Sequence, residues 1–324
     1  MILSPTPNIF IRLVLLLVPC GIFLSVEAQQ ARRTPVVPEV RFDSGRSACG
    51  IPFELHNNHI YLQVRVNNSE PLFFILDTGA SSVIGRKRAE LLGLRFRGGE
   101  RGFGVGENSV EASIVERVSL RLPGVTLSRQ SLAAIPLETL QLSLGHTVDG
   151  ILGYSFFHHL VVEIDYAARI IKLYSPRGYK YRGRGERIPL LMDGELIFIR
   201  ARVKPSHRAP VRGLFEIDTG GGHALILNKP FVERHNLLTP AQREKSVLVG
   251  GLSGSSRVVM GTAENLQIGR RNIDNPNTLF SLATDGMLAS GEFEGSIGNY
   301  ILRRFKIAAS TSDVRRLPLI DIRD

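Results

Sequence analysis

The chain has 324 residues, is 43% hydrophobic, contains 7% aromatics and no tryptophan, and carries a formal net charge of +10. That length admits one large domain or two of ordinary size, with enough apolar content for a real core. The basic residues are scattered. The densest clusters, Arg86-Lys87-Arg88 and Arg182-Gly183-Arg184, are short and lack interleaved aromatics, which argues against a nucleic-acid-binding surface.

Residues 1–28 read as a targeting segment. Arg12 precedes the apolar run Leu13–Leu24, and Val26-Glu27-Ala28 fits a small-residue cleavage site. Export to a periplasm or beyond, with cleavage near Ala28, is the expectation. The alternative is retention by an uncleaved membrane anchor or a lipid. Cys20 would leave with this segment, so Cys49 stands alone and no intramolecular disulfide is expected. Residues 29–48 are polar, hold Pro35 and Pro38, and read as an N-terminal arm or linker.

From residue 49 the pattern is of strands. Ile51–Leu55 is followed by a turn at Asn57-Asn58, and Ile60–Val66 alternates in period two. Asn67-Asn68 leads into the apolar run Phe73-Phe74-Ile75-Leu76, which delivers Asp77 into a tight Thr78-Gly79 turn. Arg86–Leu92 reads as a short helix closed by Gly93. The glycine-rich stretch Gly98–Val110 suggests a mobile hairpin and does not fit a dinucleotide fingerprint. Val115–Leu122 and Val125–Leu127 flank a Pro123-Gly124 turn. Asp149-Gly150-Ile151-Leu152-Gly153 precedes a short helical pattern through Phe156, Phe157 and Leu160. Then Val161–Tyr166 and Ile170–Tyr174 read as a hairpin. Residues 177–187, rich in Arg and Gly, read as a linker.

The second half repeats the first. Strand signals at Leu196–Val203 lead to Leu214–Ile217 and a second turn, Asp218-Thr219-Gly220. A second glycine-rich stretch spans Gly250–Ser256, and Ser296-Ile297-Gly298 matches Ile151-Leu152-Gly153. This spacing implies an internal duplication of about 140 residues rather than a short solenoid repeat.

A carboxylate at the end of an apolar strand is rarely buried unless it is paired or functional. A duplication with approximate two-fold symmetry brings equivalent turns together, so Asp77 and Asp218 would face each other. Two close carboxylates cannot readily both ionise and therefore share a proton. The ionised one can accept a proton from water while the protonated one donates to a carbonyl oxygen, which suits direct attack of water on an amide. Gly79 and Gly220 fit turns that need close backbone approach or a positive φ. The Thr78 and Thr219 hydroxyls can bond across to the opposite turn and hold the carboxylates in place. His56, His59, His158 and His159 lack a convincing metal spacing. Ser81 and Ser253 have no recognisable triad partners, and His223 reads as a loop histidine that could tune Asp218.

On Leu76–Ser82, Asp149–Gly153, Ile217–Gly220 and Gly295–Gly298 the chain resembles the retropepsin-like aspartic proteases, in particular the bacterial exported type with two such domains fused. The resemblance covers about residues 50–320. It implies a mainly β fold with short helices. Two pepsin-type β lobes, 49–176 and 188–324, would be related by pseudo-two-fold symmetry, with a catalytic aspartate from each and a peptide cleft between them. It also implies that the glycine-rich hairpins act as flaps, carried by Gly102, Gly104 and Gly106 in the first lobe and Gly250, Gly251 and Gly254 in the second. The expected activity is an aspartic endopeptidase acting on a polypeptide substrate without metal or organic cofactor, as a monomer with an intramolecular dyad. The alternative is a peptide-binding or scaffolding protein that keeps the fold and hydrolyses little. The net charge points toward acidic substrates or surfaces.

Overall fold

The computed structural model describes residues 38–102, 110–181, 185–206, 208–251, 254–309 and 321–322. The targeting segment and the Arg32-Arg33 pair lie outside the described residues. The fold is mainly β, with short helices.

The first lobe is built on a nine-stranded sheet. Six of its strands close a barrel in the order Val125–Ile135, Val83–Gly85, Gly150–Leu152, Pro71–Leu76, His59–Val66 and Val110–Leu122, the last pairing back onto the first. Period-two alternation explains the inner face: Ile60, Leu62, Val64 and Val66 are buried, while Gln63 and Arg65 point to solvent. The strand carrying Gly150-Ile151-Leu152 runs parallel to Phe74–Leu76, which is why the downstream motif recurs with the acidic turn: it is that turn's lateral neighbour.

The second lobe repeats this order in a ten-stranded sheet. Asn277–Ser281, Leu225–Leu227, Gly295–Gly298, Val211–Asp218, Leu196–Lys204 and Asn265–Ile268 follow one another, with Gly295–Gly298 again parallel to the strand bearing the aspartate. The one long strand Val110–Leu122 of the first lobe corresponds here to two, Gly254–Thr262 and Asn265–Ile268. The interruption falls at Ala263-Glu264.

A separate four-stranded antiparallel sheet joins the lobes, in the order Ser47–Pro52, Ile170–Tyr174, Val161–Asp165 and Lys306–Ala309. Val161–Asp165 follows the helix Tyr154–His159, and Lys306–Ala309 follows the corresponding helix Asn299–Leu302. These equivalent strands pair with each other, Glu163 opposite Ala308, so the local two-fold passes between them. A single apolar core runs through both lobes, from Phe74 and Phe156 to Phe215 and Phe231.

Several expectations need correction. The stretch 29–48 is not wholly an arm. Glu39–Phe42 is an edge strand on Val125–Ser128, and Ser47 opens the strand of the joining sheet. The span 177–187 is not wholly a linker, since Glu186–Arg187 pairs with Asp321–Ile322. Ile51–Leu55 is two strands, Ser47–Pro52 and Glu54–His56, because the chain changes sheet at Phe53. The strands expected at Val115–Leu122 and Val125–Leu127 extend to Val110–Leu122 and Val125–Ile135, carried through irregular register by residues such as Arg117 and Arg129 at positive φ. The helix Glu138–Leu144 was not foreseen.

Candidate active site

Asp77 directly follows the strand Pro71–Leu76, and Asp218 ends the strand Val211–Asp218. Their two turns meet back to back. Thr78 N donates to Thr219 Oγ1 at 3.0 Å, and Thr219 N donates to Thr78 Oγ1 at 3.0 Å. Each hydroxyl then donates across the junction: Thr78 Oγ1 to Ile217 O at 2.5 Å, and Thr219 Oγ1 to Leu76 O at 3.0 Å. Both threonines are buried. Four hydrogen bonds thus fix the backbone of both turns while leaving the carboxyl groups free to face the cavity above.

The role of the turn glycines is close approach. Neither Gly79 nor Gly220 has a positive φ. A Cβ on Gly220 would lie 2.1 Å from Asp77 Cγ, and one on Gly79 would lie 2.5 Å from Glu216 Oε1. Any side chain at Gly220 would therefore displace the Asp77 carboxylate. The Gly79 N–H donates to Asp77 Oδ1 at 2.7 Å.

The electrostatics follow from this crowding. Burial, and then the charge of Asp218, push Asp77 up to about 7, against the opposing effect of the Gly79 and Gly220 N–H groups. Burial likewise pushes Asp218 up to about 6. The two titrate as a pair that holds a proton into the near-neutral range. A third carboxyl, Glu216, is buried at 5% exposure on the same face of its strand as Asp218. Burial, and then the two aspartates, hold it well above the ordinary carboxylate range.

These groups line a cavity of about 630 Å³ with walls from both lobes. The first-lobe wall is apolar: Ile75, Val83, Ile135 and Ile151 belong to a compact cluster, with Leu140 and Leu144 of the unforeseen helix packed against it. The second-lobe wall carries Glu195, Glu216, Ile226 and Leu279. Val249, Gly250 and Gly251 of the second glycine-rich hairpin also line the cavity, and their strand lies against the helix Glu138–Leu144. Gly254 opens the returning strand of that hairpin. In the first hairpin, Gly102 ends the strand Phe96–Gly102, whereas Gly104 and Gly106 lie outside the described residues.

His223 is a loop residue, and it shares a hydrogen bond with Ser296 Oγ at 2.9 Å. Burial lowers it to about 4, so it is neutral beside Asp218. His59 lines the cavity and is likewise lowered, chiefly by burial. Among the described residues, no group of three or more His, Cys, Asp or Glu side chains is arranged to hold a metal ion. Cys49 is a free, exposed thiol.

Supporting contacts made by three residues escaped the sequence reading. Asp149 Oδ2 accepts from Phe73 N at 2.9 Å, and Glu294 Oε2 accepts from Leu214 N at 2.5 Å, so a carboxylate anchors the start of each aspartate-bearing run in the same way. Asn299, fully buried, donates to Thr219 O at 2.5 Å and accepts from Tyr166 of the first lobe at 2.7 Å. The pairing of Asp149 with Glu294 was signalled by their position just before the matched glycines. Nothing local marks Asn299.

Residues 62–156 match the aspartyl protease family, a span that contains the first Asp-Thr-Gly turn, the first hairpin and the Asp149–Gly153 motif. That match supports placing this segment with the peptidases. No curated protein matches the chain. No helix among the described residues is long and apolar enough to cross a membrane.

Proposed function

We propose that this protein is an aspartic endopeptidase with two fused lobes, arisen by internal duplication, in which Asp77 and Asp218 activate water against a peptide bond. The observation that carries this reading is the reciprocal locking of the two Asp-Thr-Gly turns through Thr78 and Thr219, which turns one carboxyl from each lobe toward a shared cavity.

In the reaction, one carboxylate of the pair takes a proton from a water molecule as its oxygen attacks the carbonyl carbon. The protonated partner gives its proton to the carbonyl oxygen, forming a neutral tetrahedral diol. As the C–N bond breaks, the protonated carboxyl gives its proton to the leaving amine while the other carboxylate takes the proton of a diol hydroxyl as the C=O bond re-forms, and the dyad returns to its singly protonated state. The raised pKa values of both aspartates supply that state near neutrality. An extended polypeptide would lie along the cavity beneath the hairpins and pair partly as an added strand. The chain would work as a monomer, since both halves of the dyad are intramolecular. Export after cleavage near Ala28 is part of the same reading and rests on the sequence of residues 1–28.

The test is peptide-library cleavage by the purified protein between pH 3 and 8, beside Asp77→Asn and Asp218→Asn. Cleavage by the wild type and by neither variant, with all three folded, is the expected result. Hydrolysis that persists in both variants would overturn the mechanism. A folded wild type that binds peptides and cleaves none would make the protein a peptide-binding relative instead.

A further inference from the structure

The two walls of the cavity are not chemically equivalent, although the fold makes them so geometrically. Ile75 stands two residues before Asp77, and Glu216 stands two residues before Asp218. Each therefore shares its aspartate's face of the strand and lines the cavity beside it. Ile75 continues an apolar wall. Glu216 replaces it with a carboxyl that is 5% exposed and opens onto the cavity.

A carboxyl drawn this far out of bulk water is costly to ionise unless an opposite charge completes it. The surroundings say which chemistry would. Asp77, Asp218 and Glu195 line the same cavity, and among the described lining residues none is Lys or Arg. Glu195 already accepts from Ser81 Oγ at 2.5 Å. His59 and His223, the other titratable lining groups, are held neutral by burial. The chain as a whole is strongly basic, yet this cavity is acidic, the opposite of what net charge suggested about substrates.

We infer that Glu216 forms the floor of a subsite for a Lys or Arg side chain of the polypeptide substrate, immediately beside the bond to be cut. The matching subsite around Ile75 takes an apolar residue on the other side of that bond. A cation entering beside Glu216 supplies that opposite charge and satisfies the carboxyl in a site shielded from water. An acidic side chain there finds no cation and adds negative charge beside the Asp77–Asp218 pair, so it is rejected, which sharpens specificity by repulsion as well as attraction. This inference rests on the reading of Asp77 and Asp218 as the dyad that fixes where the substrate lies.

The experiment uses short peptides with Phe on one side of a central bond and Lys, Gln or norleucine on the other, in both orders. Binding is measured on the full-length Asp77→Asn protein, and hydrolysis on the wild type. The Lys peptide should bind at least tenfold tighter than the Gln and norleucine peptides. Adding Glu216→Gln should reduce that preference below twofold while leaving norleucine affinity nearly unchanged. Glu216→Leu, which reproduces the Ile75 wall, should shift the preference to norleucine and gives a second readout should the Gln variant fold poorly. Equal binding of all three peptides, no binding of the Lys peptide, or a Lys preference that survives both substitutions would each overturn the subsite. If the Lys preference is present and lost with Glu216 while the wild type hydrolyses nothing, the subsite stands and the protease reading falls.

Discussion

Thr78 and Thr219 each accept a hydrogen bond from the other's backbone N–H, both at 3.0 Å, across the junction of the two lobes. The arrangement binds the two turns as a unit, so damage to either threonine reaches both aspartates. Thr78→Val keeps the side-chain shape but strands the buried Thr219 N–H and Ile217 carbonyl. Each unsatisfied buried group costs about 1–3 kcal/mol, so a loss of roughly 2–4 kcal/mol is expected. Chemical denaturation would measure it. Peptide cleavage should fall mainly in kcat, because the carboxyl groups lose their placement rather than the substrate its walls.

Asp77 and Asp218 also shape stability against pH. Both aspartates have folded pKa values above their ordinary 3.8, so the folded chain holds more protons than the unfolded one between about pH 4 and about pH 7. Stability from this source is therefore greatest in acid and declines as pH rises through that window. Asp77→Asn removes the carboxyl that resists ionisation. Its unfolding free energy should exceed that of the wild type at pH 8 by an amount on the order of 4 kcal/mol, at about 1.4 kcal/mol for each pH unit between 3.8 and about 7. The advantage should vanish at pH 4. A constant difference across that range would contradict the assignment. Wild-type cleavage should decline above about pH 7, as the shared proton is lost.

Asp149 is buried and accepts from both Phe73 N and Arg88 Nε, the latter at 2.8 Å. Asp149→Ala leaves an N–H of the aspartate-bearing strand without a partner and Arg88 without its counter-charge. A cost of about 2–4 kcal/mol is expected. Asp149→Asn, which can still accept from Phe73, should recover about half of it. Glu294→Ala tests the equivalent bond to Leu214 and should cost less, since the second-lobe carboxylate is not fully buried.

Asn299 connects Thr219 to Tyr166 and so ties the second turn to the first lobe. Asn299→Leu removes a donor and an acceptor from a fully buried site. The protein should lose about 2–4 kcal/mol, and kcat should drop more than tenfold with little change in KM. A variant with normal kcat and lowered stability would restrict Asn299 to a structural part.

The parts of this molecule legible in sequence are those whose signal is local. An apolar run ending in Asp-Thr-Gly, repeated, revealed both turns, and period-two alternation revealed strands such as His59–Val66. The helix Glu138–Leu144 was hidden because it is only seven residues long and its apolar pair Leu140 and Leu144 is too short a stripe to stand out, packing only in part against the first-lobe cluster. The edge strand Glu39–Phe42 was hidden because only its distant partner Val125–Ser128 makes it a strand. Glu216 was visible in hindsight: a charge set between Phe215 and Ile217, on the face shared with Asp218, breaks an otherwise apolar strand.

The sheet in which Glu163 faces Ala308 has one more implication. The first lobe contributes Val161–Asp165 and the far end of the chain contributes Lys306–Ala309, with Asp165 and Lys306 forming an ion pair at that seam. A protease that nicks the backbone at exposed Arg177 would therefore cut the chain without separating its products. The two fragments should migrate together on a sizing column and come apart only in denaturant, because what holds the lobes as one particle is a shared sheet rather than the thread between them.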